Sequence, residues 1–76
     1  MTDIVLYVRD GCGLCDEMHA ELSPWAAARG AMITCVDVDA NPDLKRRYGY
    51  RVPVLVIDGI LIAEGVLSPM DLPTRP

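Results

Sequence analysis

Between Ile4 and Val38 the sequence runs from a β-branched apolar stretch through a long helical pattern into a second apolar stretch, an order that leaves few folds open. Ile4-Val5-Leu6-Tyr7-Val8 stops at Arg9-Asp10-Gly11, which reads as a buried strand followed by a turn. From Cys12 to Arg29, Leu14, Met18, Leu22, Trp25 and Ala26 recur at helical spacing, and Gly30 follows as a C-terminal stop. Met32 to Val38 reads as the second strand. A helical crossover of this length is right-handed and makes the two strands parallel neighbours. Pro24 interrupts the pattern: inside a helix it removes a hydrogen bond and clashes with the preceding turn, at about 3 kcal/mol. The segment is therefore expected to kink there or to restart with Ser23 as its cap.

Asn41-Pro42-Asp43 supplies a cap, a proline at the first helical position and an acid in the first turn, announcing a short helix to Tyr48 closed by Gly49. Arg51 to Ile57 reads as a third strand containing Pro53. Asp58-Gly59 is a type I′ hairpin signal, so a fourth strand, Ile60 to Ala63, runs antiparallel to the third. Ser68-Pro69 opens one more turn, and Pro73 leaves it little room. The order is βαβαββ with a helical stub, an α/β fold in a single domain over residues 1–76. A chain this short removes only about 60% of its unfolded surface from water, so its core must be small and efficient.

The formal charge is −4 and Lys plus Arg number 7, which argues against nucleic acid, whose phosphates need clustered cations. Lys45-Arg46-Arg47, the one basic run, suits the last turn of its helix through the helix dipole. No stretch approaches the roughly 20 apolar residues of a membrane span, and Met1-Thr2-Asp3 leads at once into a strand rather than forming a secretory leader. The expected location is cytoplasmic. The chain's 3 cysteines cannot all pair within it, and two of them are only two residues apart. In a reducing compartment such a set serves redox or metal chemistry rather than a disulfide framework.

Gly11-Cys12-Gly13-Leu14-Cys15 places a C-x-x-C where strand gives way to helix. The first turn of a helix has N–H groups without intrahelical partners and the positive end of the dipole, both favouring a thiolate. Cys12 is expected to be the exposed nucleophile. Cys15, about one turn on, is expected to resolve the mixed disulfide. Arg9 adds to the field that stabilises the thiolate, while Asp10, Asp16 and Glu17 oppose it. Cys12, Cys15 and His19 also form a C-x2-C-x3-H set, but no fourth zinc ligand is evident, and a lone helix histidine is usually a surface residue. Cys35 in the second strand reads as a small core residue. Trp25 and Tyr7 read as packing residues, Tyr48 and Tyr50 also as packing residues with a border of the active-site groove as the alternative for one of them, and Asp37 and Asp39 as solvated strand-end carboxylates.

With Leu6-Tyr7, the Gly-Cys-x-x-Cys opening a helix, and Arg51-Val52-Pro53-Val54-Leu55 before a hairpin, the chain resembles the glutaredoxins. The stretch Cys12 to Glu17 is most similar to small bacterial glutaredoxin-like proteins, and the resemblance runs from about residue 3 to 63. It implies a thioredoxin-like fold, a four-stranded mixed sheet in order 2-1-3-4 with a truncated C-terminal helix. It also implies that Pro53 is cis and faces the dithiol, with Val52 offering its N–H and C=O to an extended substrate beside Cys12. Glutathione-binding members have Thr before the Val-Pro and a Gly-Gly followed by Asp after the fourth strand. This chain has Arg51 and Glu64-Gly65-Val66 there, which puts a conventional glutathione site in question, although the Arg51 guanidinium suits a carboxylate. Val66, Leu67, Met70 and Leu72 either cover the face left by the short end or leave some of it exposed.

The expected activity is thiol–disulfide exchange between a Cys12–Cys15 dithiol and protein or glutathione mixed disulfides. No bound cofactor and no metal is expected. Reducing equivalents come from glutathione or a thioredoxin reductase-type system, and the protein is a monomer or weak dimer. The rival readings are a non-catalytic binding module of the same fold and a metal or iron–sulfur carrier using the same cysteines.

Overall fold

β1 (Ile4–Val8) occupies an interior position of the sheet because both of its flanks are claimed by later parts of the chain. In this computed structural model, which describes residues 2–72, β1 pairs in parallel with β2 (Ile33–Asp37), from Ile4↔Ile33 to Val8↔Asp37. On its other side it pairs antiparallel with β3 (Val54–Ile57), from Ile4↔Ile57 to Tyr7↔Val54. β4 (Ile60–Glu64) lies antiparallel beyond β3, giving the order β2-β1-β3-β4 that the family resemblance implies. The β3–β4 connection has Asp58 at φ 51° and Gly59 at φ 81°, both in the left-handed region that a type I′ turn requires. The pairing then slips between Leu55↔Ala63 and Val56↔Leu61, so β4 carries one extra residue, a bulge the sequence does not announce. β3 is shorter than the run Arg51 to Ile57, because the amides of Arg51 and Val52 turn back to the Tyr48 carbonyl at 2.8 and 3.0 Å.

The crossover helix α1 (Gly13–Ala28) passes Pro24 without a break, which corrects the expected restart at Ser23. The Ser23 hydroxyl instead donates to the His19 carbonyl at 2.7 Å. Met18, Leu22 and Ala26 are buried on both sides of the proline, while Pro24 itself is exposed. Burying a Met or Leu side chain is worth about 1.5–3 kcal/mol, so the anchored face offsets a penalty of about 3 kcal/mol for the proline. Among the described residues no helix is long and apolar enough to cross a membrane.

The core is Ile4 and Leu6 from β1, Leu55 and Ile57 from β3, and Ala63 from β4, closed by the α1 residues Met18, Leu22 and Ala26. Leu67 completes it and Leu72 packs against it, so part of the final segment covers the sheet face as a loop. Val66 and Met70 stay exposed. The helical stub is a single turn, Pro69–Asp71, with the Asp71 carboxylate accepting from the Ser68 N–H at 2.9 Å. Pro73 lies outside the described residues. Cys35 is exposed, which corrects the core reading: it sits on β2, which among the described residues is an edge strand of the sheet.

α2 (Pro42–Tyr48) starts as its sequence announces, with Asn41 Oδ1 accepting from the amides of Asp43 at 2.9 Å and Leu44 at 3.4 Å. Gly49 follows as its C-cap. Alanine at position 41 cannot accept these bonds. Asn41→Ala is expected to cost about 1 kcal/mol, lowering Tm by roughly 4–8 °C, and thermal unfolding followed by circular dichroism checks this.

Candidate active site

The turn that ends β1 delivers Cys12 to the N-cap position of α1, with extended backbone at φ −96° and ψ 103°. Helix geometry then brings Cys15 back over the cap. Their Cα atoms are 5.2 Å apart and the two sulfurs form a disulfide. The Cys12 sulfur also accepts the backbone N–H of Cys15 at 3.0 Å, one of the amides that a helix start leaves without an intrahelical partner. Cys12 is half-buried, whereas Cys15 is only 3% exposed. One sulfur is therefore open to an incoming molecule and the other is set behind it.

The Val52–Pro53 peptide bond is cis, and Pro53 is fully buried. Because β1 and β3 are antiparallel with Tyr7 opposite Val54, the residues just before Val54 lie at the end of the sheet where β1 runs into the cysteine loop. Val52 and the disulfide thus share that end. The Val52 N–H donates to Tyr48, which leaves its C=O as the group it can offer to a substrate strand and corrects the expectation that both would be offered.

The two arginines assigned to the site are each held by a carboxylate. Arg9 reaches Asp39 with two nitrogens, Nη2 at 2.8 Å and Nε at 3.2 Å, and its Nη1 donates to the Gly49 carbonyl at 2.9 Å. The hydrogen bond to Asp39, then that residue's charge, raise the Arg9 pKa above its ordinary value. Asp39 is thus an exposed carboxylate that also holds a partner, and Arg9 is directed to it and to Gly49. Arg51 Nε pairs with Glu64 Oε1, and its guanidinium lies 5.4 Å from the centre of the Tyr48 ring. The hydrogen bond to Glu64 raises the Arg51 pKa as well. The sequence held a signal for this pair, since the two departures from the glutathione-binding pattern are of opposite charge. Asp39 had none, standing 30 residues from Arg9.

Tyr48 stacks on Tyr7 with ring centres 4.5 Å apart, tying α2 to β1, while Tyr50 is fully exposed. Trp25 packs against the core with the Arg29 guanidinium 3.9 Å over its ring. His19 is exposed beside Ser23, and among the described residues no three His, Cys, Asp or Glu side chains converge to hold a metal ion.

A mixed sheet in the order β2-β1-β3-β4, with a C-x-x-C disulfide at the start of its first helix, places the chain among proteins of the thioredoxin fold. Residues 3–72 match the glutaredoxin-like domain (DUF836), and the chain belongs to that family. Protein Ne2328 from Nitrosomonas europaea is similar at 32% identity and a TM-score of 0.77, over 88% of this chain and 81% of that one. Mitochondrial thioredoxin 3 from Saccharomyces cerevisiae, in its oxidized form, aligns at 25% identity and a TM-score of 0.59, over 83% of this chain and 63% of the other. An uncharacterized protein of Mycobacterium tuberculosis is 31% identical over 61 residues, 74% of this chain. The chain spans 63% of that relative's length.

Proposed function

We propose that the protein is a thiol–disulfide oxidoreductase in which Cys12 is the nucleophile and Cys15 the resolving thiol. The observation that carries this reading is the Cys12–Cys15 disulfide at the start of α1, with one sulfur accessible and the other buried. In the reduced protein the Cys12 thiolate attacks a substrate disulfide, one substrate thiolate leaves, and a mixed disulfide remains on Cys12. Cys15 gives up its proton and attacks the Cys12 sulfur, releasing the second substrate thiolate. The dithiol has lost two electrons and the substrate has gained them. The Cys15 N–H and the helix dipole favour negative charge on the Cys12 sulfur. The C=O of Val52, ahead of the Pro53 peptide, is the backbone group suited to align an extended substrate segment. Arg51 and Arg9 act through the carboxylates they already hold, shaping the walls of this end of the sheet.

No bound cofactor enters this cycle; the dithiol is restored by glutathione or by a thioredoxin reductase-type enzyme, and the protein works in the cytoplasm as a monomer or weak dimer. The test is reduction of insulin and of a glutathione mixed disulfide, with NADPH consumption followed in the presence of glutathione plus glutathione reductase, or of thioredoxin reductase. At least one system is expected to drive turnover well above the rate without the protein. If both leave the substrates at the uncatalysed rate, the binding-module reading replaces this one.

A further inference from the structure

The flank of α1 that faces the loop after β4 carries a groove that disulfide exchange by itself does not require. Leu14, Glu17 and Glu21 from α1 and Val66 from the loop line it, with Met18 and Leu67 beneath, around a cavity of roughly 100 Å³. That is well below the ~300–1,000 Å³ that accommodates whole small ligands, so it suits a single side chain. Leu14 directly precedes Cys15 in α1, so the groove starts on the helical turn that carries the dithiol, although neither cysteine lines it. Leu14 and Val66 are 49% and 70% exposed, which gives the groove an apolar rim.

Its charge is of one sign. Between Gly13 and Ala28, α1 carries Asp16, Glu17 and Glu21 and no Lys or Arg, and among the described residues these three carboxylates form no ion pair. Arg9 and Arg51, the cations at this end of the sheet, are held by Asp39 and Glu64. An apolar pocket with an unpaired negative rim complements an apolar side chain beside cations.

We propose that this groove selects the substrate: a polypeptide whose reactive cysteine is accompanied by an apolar side chain and by Lys or Arg. The assignment rests on the exchange activity proposed above and names its substrate class. Free glutathione, an anion at neutral pH, is disfavoured by the same rim. The electron balance is that of exchange in general: the Cys12 thiolate displaces one sulfur of the peptide's disulfide, and Cys15 then closes the Cys12–Cys15 bond and frees the peptide thiolate, which takes up a proton.

The experiment uses pre-reduced protein in single turnover, so no reductant is needed. Two blocked peptides containing Leu-Cys, one flanked by lysines and one by glutamates, are presented as mixed disulfides with thionitrobenzoate, whose release is followed by absorbance. Each rate is divided by the same protein's rate with hydroxyethyl disulfide, at 150 mM salt, where charges beyond about 8 Å are screened. The wild type is expected to favour the lysine peptide by about fivefold or more, and the Glu17→Gln/Glu21→Gln variant to bring the two within about twofold. Equal rates in the wild type, or a preference that survives in the variant, would overturn the groove assignment while leaving exchange intact. Failure to reduce even hydroxyethyl disulfide would sink the exchange reading and this one with it. A preference that fades with rising protein concentration as dimer appears in light scattering would give the groove to a second copy, against the proposal.

Discussion

Cys12→Ser is expected to remove disulfide exchange altogether, whereas Cys15→Ser is expected to leave the first attack intact and stall the protein as a covalent adduct. The contrast follows from the depth of the two sulfurs: Cys12 is half-buried at the N-cap and Cys15 is 3% exposed behind it. A serine hydroxyl at position 12 gives no thiolate to attack with, so the variant's rate falls to that of the uncatalysed reaction. With Cys15 replaced, the mixed disulfide on Cys12 has no neighbouring thiol and must wait for one from solution. A held intramolecular group can act at effective concentrations of roughly 10⁵ M and above, so turnover on a protein disulfide without added thiol is expected to drop by at least ~100-fold. Non-reducing gels and intact-protein mass measurement would show one substrate chain bound per Cys15→Ser molecule. An adduct that instead accumulates on Cys12→Ser would reverse the assigned roles.

Leu55→Ala is expected to lower stability by roughly 3 kcal/mol, within the ~2–5 kcal/mol typical of emptying a buried leucine site. Leu55 is 0% exposed in the interior strand β3, beside Leu6 of β1 and Ala63 of β4. At about 0.05–0.15 kcal/mol per residue, the 76 residues hold roughly 4–11 kcal/mol in all. The substitution therefore takes a large share, and Tm is expected to fall by roughly 12–24 °C. Met32→Ala, at a side chain 85% exposed, is the control and should stay within about 0.5 kcal/mol of the parent. Denaturant melts of the two variants that superimpose would show that Leu55 does not anchor the core.

The features that were legible in the sequence are those decided within a few residues. The β-branched run Ile4–Val8, the Asn41-Pro42-Asp43 helix start and the Asp58-Gly59 turn each carry their own backbone preference, and the structure has an element at each. The C-x-x-C could be placed at a helix start because the strand before it and the periodicity after it are both local. What escaped depends on distant partners. Pro24 remains inside α1 because Met18, Leu22 and Ala26 are anchored on a sheet assembled from the rest of the chain. Cys35 looked like a core residue because a free cysteine in a strand behaves as a small hydrophobe, but an edge position is a property of the whole sheet. Asp39 and Glu64, which take the two arginines, lie 30 and 13 residues from them in the chain. Val52 gives its N–H to Tyr48 because the chain doubles back after α2, which no pattern around Pro53 specifies.

The unequal depth of the paired sulfurs also sets an order of admission. A stranger arriving from water meets only the outer atom, and the inner one can answer only what has already been captured. Forward and return traffic thus pass through the same single door, so a substitution that narrows it would slow loading and recharging alike.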